Sequence, residues 1–241
     1  SDVCSSDLPM DVVFVDNGEP CAEENWTALQ ESLLDHENEL HRVSGVNGRV
    51  NAYHECARQS KTPWYFWVSA KLRVHKMFDW SWQPDYWQRP KHYIFHANNK
   101  TTGLKYGHMA LICYFKRHVL ANTGVGLDFT LDSPHEVVPI DSGTANYTYS
   151  ELSAWRTAFR ETIKLCDAQA KQPSFDNEHR LNAWINKGEG INGHWSILGA
   201  RDAEQYYNKV SGDFDRLKLS YDWKWLKFHY ESLHGPVPAS Q

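Results

Sequence analysis

The run WYFWVSA, Trp64 to Ala70, limits this chain more than any other feature, because large apolar residues follow one another with no alternation. A strand of that kind is covered on both faces, which is the condition of an interior strand in a parallel α/β sheet. A second run, in DVVFVDNGEP from Asp11, ends in the turn formers Asp16, Asn17, Gly18 and Pro20 and reads as a buried first strand with a loop at its carboxyl end. Between the two, Glu23 and Glu24 open a helix with Trp26, Leu29 and Leu33 on one side. Gly45 and Gly48 then punctuate a turn, and Ala52, Tyr53, Cys56 and Ala57 mark the inner side of a second helix that Thr62 and Pro63 close. Strand, helix, glycine turn, helix, strand is the order of a right-handed α/β unit that takes ligands at its strand ends.

The middle of the chain predicts a mixed sheet, with strands at 91–97, 107–116, 136–140 and 144–149. Residues 151–166 predict a long helix: Trp155, Ala158, Phe159, Ile163 and Cys166 share one side, while Arg156, Arg160 and Lys164 run along another. A polar stretch over 167–212 follows, then an aromatic and basic segment, DFDRLKLSYDWKWLKFHYESL, expected to dock back on the core. Residues 1–9 read as a non-native leader before Met10, residues 10–166 as the ligand-binding domain, and 167–241 as a C-terminal extension packed on it.

Composition excludes some function classes. A net charge of -5 argues against coating nucleic acid by charge alone, so any contact with DNA is local. No apolar stretch reaches membrane-helix length, and the mean hydropathy is -0.63, so no membrane partner is expected. The five cysteines include no Cys-x-x-Cys pair and read as reduced thiols in a cytosol. At 14% the aromatic share exceeds what a core takes up, and surplus rings tend to stack on flat ligands.

Four constellations carry candidate chemistry. The strand-end loops hold Asp16, Asn17 and Glu19, then Gly45 to Asn51, then Ser69 to Lys71; carboxylates and amides there can hold a base and ribose while glycine backbone approaches phosphates, the plain alternative being ordinary turns. The stripe Arg156, Arg160 and Lys164 suits phosphate oxygens, or is a solvated face. His92 and His96 share a strand side, which allows a metal pair and with it a metal hydrolase or oxygenase, and His108 and His135 beside Glu136 follow; neither HExxH nor facial-triad spacing appears, and hydrogen-bonded structural histidines are the plain alternative. In GLDFTLDSPHE, Asp128, Asp132 and Glu136 recur every fourth residue; one of them can take a proton from an acceptor hydroxyl, unless the stretch is a capped turn.

The blocks DVVFVDNGEPCAEENW, RVSGVNGRVNAYHECA and WYFWVSAKLRV resemble the nucleotide-sugar half of a GT-A glycosyltransferase. FDWSWQPD, HYIFHANN, GLKYGHMA, GLDFTLD and WRTAFRETIKL are similar to phage-encoded glycosyltransferases of DNA hypermodification, the TET/JBP-associated group. The resemblance runs from about Asp11 to Leu165 and more loosely to residue 230. It implies an α/β fold with a GT-A-like, Rossmann-like mixed sheet flanked by helices and an aromatic-rich helical C-terminal extension. It also implies transfer of a sugar from a UDP-sugar donor to a hydroxymethylated pyrimidine in phage DNA, in the cytoplasm of an infected bacterium.

One departure concerns the Asp-x-Asp that holds a divalent metal in GT-A enzymes, where this chain has Ser69, Ala70 and Lys71. Either Lys71 supplies the positive charge, or the chain only binds. A unit charge about 4 Å from a phosphate oxygen is worth about 4 kcal/mol at an effective dielectric of about 20, enough to support a leaving diphosphate. On the first outcome Asp16, Asn17, Glu19, Gly45, Gly48, Arg49 and Ser69 hold the donor, and Lys71 with Arg156 or Arg160 stabilises the diphosphate. Asp128, Asp132 or Glu136 acts as base, and Trp80, Trp82, His96 and His108 receive a flipped pyrimidine or the sugar. The rival is a catalytically inactive homologue that binds a nucleotide-sugar or, through Trp223, Lys224, Trp225 and Lys227, nucleic acid. Donor sugar and oligomeric state are left open.

Overall fold

The computed structural model describes residues 9–210 and 212–238, with backbone alone at residues 108 and 109. The expected leader up to residue 8, with Cys4, lies outside the described residues. Two compact units emerge: the first runs to Asn98 and resumes over Lys105–Ala145, and the second is Asn99–Leu104 together with the chain from Asn146 onward. Apart from Asn99–Leu104, the second unit begins at Asn146.

The first unit is α/β, with a mixed sheet flanked by helices. Its strands are β1 (Asp11–Asp16), β2 (Leu40–Ser44), β3 (Trp64–Ser69), β4 (Leu72–Val74), β5 (His92–Asn99), β6 (Lys105–Phe115) and β7 (His135–Ala145), and its helices are α1 (Ala22–Ser32), α2 (Arg49–Gln59) and α3 (Lys116–Ala121). The sheet order among the described residues is β2-β1-β3-β6-β5-β7-β4. β1 pairs in parallel with both β2 and β3, while β3 with β6, β5 with β6 and β4 with β7 are antiparallel.

Side chains alternate along a strand, and β1 shows both faces in use. Val13 and Val15, with Tyr65 and Trp67 of β3, pack against Cys56 and Ala57 of α2 and against Phe129. From the other face Phe14 meets Trp26 of α1 edge-on, with ring centroids 5.3 Å apart. Phe66 on that side meets Phe78 and Trp80. Continuous apolar sequence in β1 and β3 thus corresponds to burial on two sides, as expected.

β2, β4, α3 and β7 differ from the sequence reading. β2 has no counterpart among the expected strands, because LHRVS has one buried residue and its strand character comes from pairing with β1. The strand expected at 136–140 runs on through Ala145 as the single strand β7, held by pairing of Gly143 and Thr144 with β4, and residues 146–149 of the second expected strand are not strand.

The second unit is helical over α4 (Glu151–Lys171), α5 (Phe175–Asn186), α6 (Gly193–Val210), α7 (Phe214–Lys218) and α8 (Trp223–His234). The polar stretch after residue 166 therefore holds the end of α4 and two further helices. Ser150 starts α4 by accepting the Ser153 amide at 3.1 Å. Ala158 and Leu165 of α4 join Trp184 of α5 and Ala200 of α6 in one core. Trp155 stacks on Phe159 and donates its indole N–H to Asp202 at 2.7 Å, and Tyr230 of α8 packs edge-on against Trp155. Among the described residues no helix is long and apolar enough to cross a membrane.

Candidate functional site

β2 lies on one side of β1 and β3 on the other. The carboxyl ends of β1 and β3 therefore flank a switch in strand order, the place where open α/β sheets take ligands. Register sets Asp16 beside Ser44 and Val15 beside Ser69. Asp16 Oδ2 accepts from Arg42 Nε and from Ser44 Oγ, each at 2.7 Å. Burial is the largest influence on this carboxyl and pushes its pKa up, but donors from Ser44, Arg42 and the Gly18 amide together prevail and hold it below the ordinary value. Asp16 is thus an ionised carboxylate at the mouth of the sheet. Arg42 also reaches Glu23 of α1 at 3.1 Å and lies over the Trp26 ring.

Glu19 accepts the Asn17 amide at 2.7 Å and lies 3.4 Å from Lys71 Nζ, the two side chains being only 7% and 20% exposed. A pair this sheltered must be shared or broken before the ammonium can serve a phosphate. Between Ser69 and Lys71, the Ala70 carbonyl accepts from Asn25 Nδ2 at 2.7 Å and faces Cys21 Sγ at 3.5 Å, so α1 anchors the turn after β3.

The glycine turn borders the same strand ends: the Gly45 amide donates to the Asp16 carbonyl at 3.2 Å. Gly48 enters α2 at φ +89°, a left-handed conformation that side chains disfavour. Arg49, first in α2, donates to the carbonyls of Leu127 at 3.1 Å and Gly126 at 3.4 Å. It clamps the acidic loop, which Tyr53 holds from behind by stacking on Phe129 at 4.3 Å.

Within that loop Asp128 is buried and accepts the Thr130 and Leu131 amides, and Asp132, exposed, accepts the Gly126 amide at 2.9 Å. The capped-turn reading describes both. Glu136 lies apart from them in β7, ion-paired with Lys91.

Asp16, Asn17, Glu19, Gly45, Gly48, Arg49, Ser69 and Lys71 are thus held around one set of strand ends, with Asp128 and Asp132 tethered through Arg49. Arg156 and Arg160 belong to the second unit, where Arg156 lies 3.3 Å from the Trp223 ring centroid and Arg160 lies 4.4 Å from that of Tyr221. Trp80 is corrected from acceptor contact to core: it has no exposed surface and donates to Ser32 Oγ at 3.1 Å. Trp82 is half-buried and edges against Tyr93 and Phe95. Trp87, by contrast, is 98% exposed.

His92 and His96 do not form a metal pair. A register shift falls between Ile94 and His96, and His92 is fully buried with Nδ1 accepting the Phe115 amide at 3.1 Å. His96 is half-buried in β5, and the His108 side chain lies outside the described residues. Burial pushes the thiols of Cys56 and Cys166 up to about 12, which leaves them unreactive.

Sequence reasoning missed Arg42 and Ser44 because it missed β2; the alternation of His41 and Val43 against Arg42 and Ser44 was the available signal. A separate concavity of about 510 Å³ opens at the amino end of the sheet, lined by Asp35, His36, Glu37, Asn38 and Ser81 among others. It presents two carboxylates and no lysine or arginine, a poor match for a diphosphate. No family model, no curated protein and no solved structure matches this chain.

Proposed function

We propose that the strand-end crevice of β1, β2 and β3 binds a nucleotide-diphosphate sugar, a UDP-sugar by the resemblance, in a GT-A-like manner. The sugar passes to a hydroxymethylated pyrimidine in DNA. Asp16 carries this reading: an ionised carboxylate, fixed by two donors and set beside a strand-order switch, is suited to ribose hydroxyls. Asn17 contributes to the nucleoside, and the backbone from Gly45 to Gly48 with the start of α2 faces the diphosphate.

Lys71 exchanges Glu19 for phosphate oxygens as the donor binds, so its charge is present without a metal. In the transfer step the acceptor hydroxyl oxygen bonds to the anomeric carbon as the bond from that carbon to the diphosphate oxygen breaks. UDP leaves with the electron pair, and the hydroxyl proton passes to Asp132, the exposed carboxylate of the acidic loop.

The test is incubation of the full chain with a panel of UDP-sugars and DNA containing hydroxymethylcytosine or hydroxymethyluracil, followed by digestion and mass spectrometry of the nucleosides. A glycosylated nucleoside is expected, and its yield persists in excess EDTA. Lys71→Ala lowers turnover by about 10²–10³-fold, the scale of a lost charge-stabilising donor. Loss of product in EDTA with Lys71→Ala tolerated would remove Lys71 from the mechanism.

A second reading, a binding homologue without catalysis, is favoured by the engagement of Asp128 and Asp132 with backbone amides and of Lys71 with Glu19. Calorimetric binding of a UDP-sugar without product under any donor would select it.

A further inference from the structure

The opposite end of the same sheet gathers a second polar group. Asp11 opens β1, while Glu39 and His41 flank the first residue of β2; Val13 is in register with His41. Alternation puts all three on the face that α2 covers. His41 Nε2 lies 3.7 Å from Asp11 Oδ2 and 3.8 Å from Glu39 Oε1. Both separations are too long for hydrogen bonds. The same Nε2 is buried and has no hydrogen-bond partner among the described residues, a costly state for a ring nitrogen aimed at two carboxylates.

We propose that Asp11, Glu39 and His41 form a binding site for a divalent cation of the zinc class. One ligand atom from each lies within 4.8 Å of the others. A tetrahedral ion with bonds of about 2.0–2.2 Å spaces its ligands roughly 3.3–3.6 Å apart, so a small inward shift seats it. One imidazole with two carboxylates is the mixed donor set that zinc accepts, whereas calcium and magnesium take oxygen alone.

Asp11 is oriented by the backbone: its Oδ2 accepts the Lys61 amide, and its own amide donates to Thr62 Oγ1 at 3.1 Å. Such outer contacts fix a ligand's direction. Lys61 Nζ pairs with both Glu39 oxygens at 2.8 and 2.9 Å, and the side chain is 70% exposed. It competes with the cation for Glu39 and can withdraw into water on its flexible stem. An ion here ties β1, β2 and the turn after α2 together, away from the strand-end crevice, and leaves one position to water.

Zinc chloride titrated into the metal-stripped full chain, read by calorimetry and by thermal midpoint, tests this. One saturable equivalent and a raised midpoint are expected, with cobalt giving the intense visible bands of four-coordinate nitrogen and oxygen ligation. Glu39→Gln and His41→Ala each weaken zinc binding at least tenfold, and Lys61→Ala strengthens it. Should His41→Ala fail to fold, Glu39→Gln, at a half-exposed side chain, carries the comparison alone. Absence of saturable binding by the unaltered chain, or affinity unchanged in Glu39→Gln, overturns the site.

Discussion

His92 has no exposed surface, and burial pushes its pKa from 6.5 to about 3, with His118 and His135 adding to the shift. The folded value lies below the unfolded one, so the unfolded chain takes up the proton first. This contribution to stability is complete above about 6.5 and is lost as pH falls toward 3, with a slope of at most about 1.4 kcal/mol per pH unit. Urea denaturation at pH 7 and pH 5 is expected to show the decline, and His92→Gln to flatten it; equal slopes in both proteins would count against it. Asp16 behaves in the usual carboxylate sense: its pKa is lowered, so its contribution is present above 3.8 and fades as pH falls through the folded value. Asp16→Asn is expected to cost about 1–3 kcal/mol by unbalancing Arg42 and Ser44, and to weaken UDP-sugar binding measured by calorimetry. Neither role was legible residue by residue. His92 reads in sequence as one of a pair, and Asp16 as one turn former among four.

At the scale of elements, α6 approaches α4 backbone to backbone. A Cβ on Gly199 would stand 2.2 Å from the Trp155 carbonyl oxygen, which belongs to the rigid helix and cannot give way. Gly199→Ala is therefore expected to destabilise the chain by about 1–3 kcal/mol and to lower its thermal midpoint by circular dichroism; an unchanged midpoint would mean that the helices separate easily. The apolar side of α4 was readable because 3.6-residue periodicity is local. β2 was not, since three of its five residues are half-buried and only pairing with β1 makes them a strand. β7 was split in the reading by Asp141, Ser142 and Gly143, whose turn chemistry is overridden by pairing of Gly143 and Thr144 with β4.

Each of the two compact units has its own buried core, so the most protected amides should fall in two places. Hydrogen exchange is expected to be slowest in β1, β3 and β6 of the first unit and in α4 and α6 of the second, and fast over the exposed segment 85–89. Protection concentrated in β2 or β4 would contradict this core. For the whole chain, unbroken apolar runs determined by themselves that a parallel α/β unit opens the fold, because burial on both faces leaves no polar alternation to read. Turn formers after β1 likewise marked where its strand-end loop begins. Only the tertiary structure decided that Asp16 answers to Arg42 and Ser44, that Lys71 is held by Glu19, that Trp80 belongs to the core, and that Asp11 meets His41. Those pairings join residues far apart in the chain, and strand register and helix packing, which no local pattern encodes, set which of them meet.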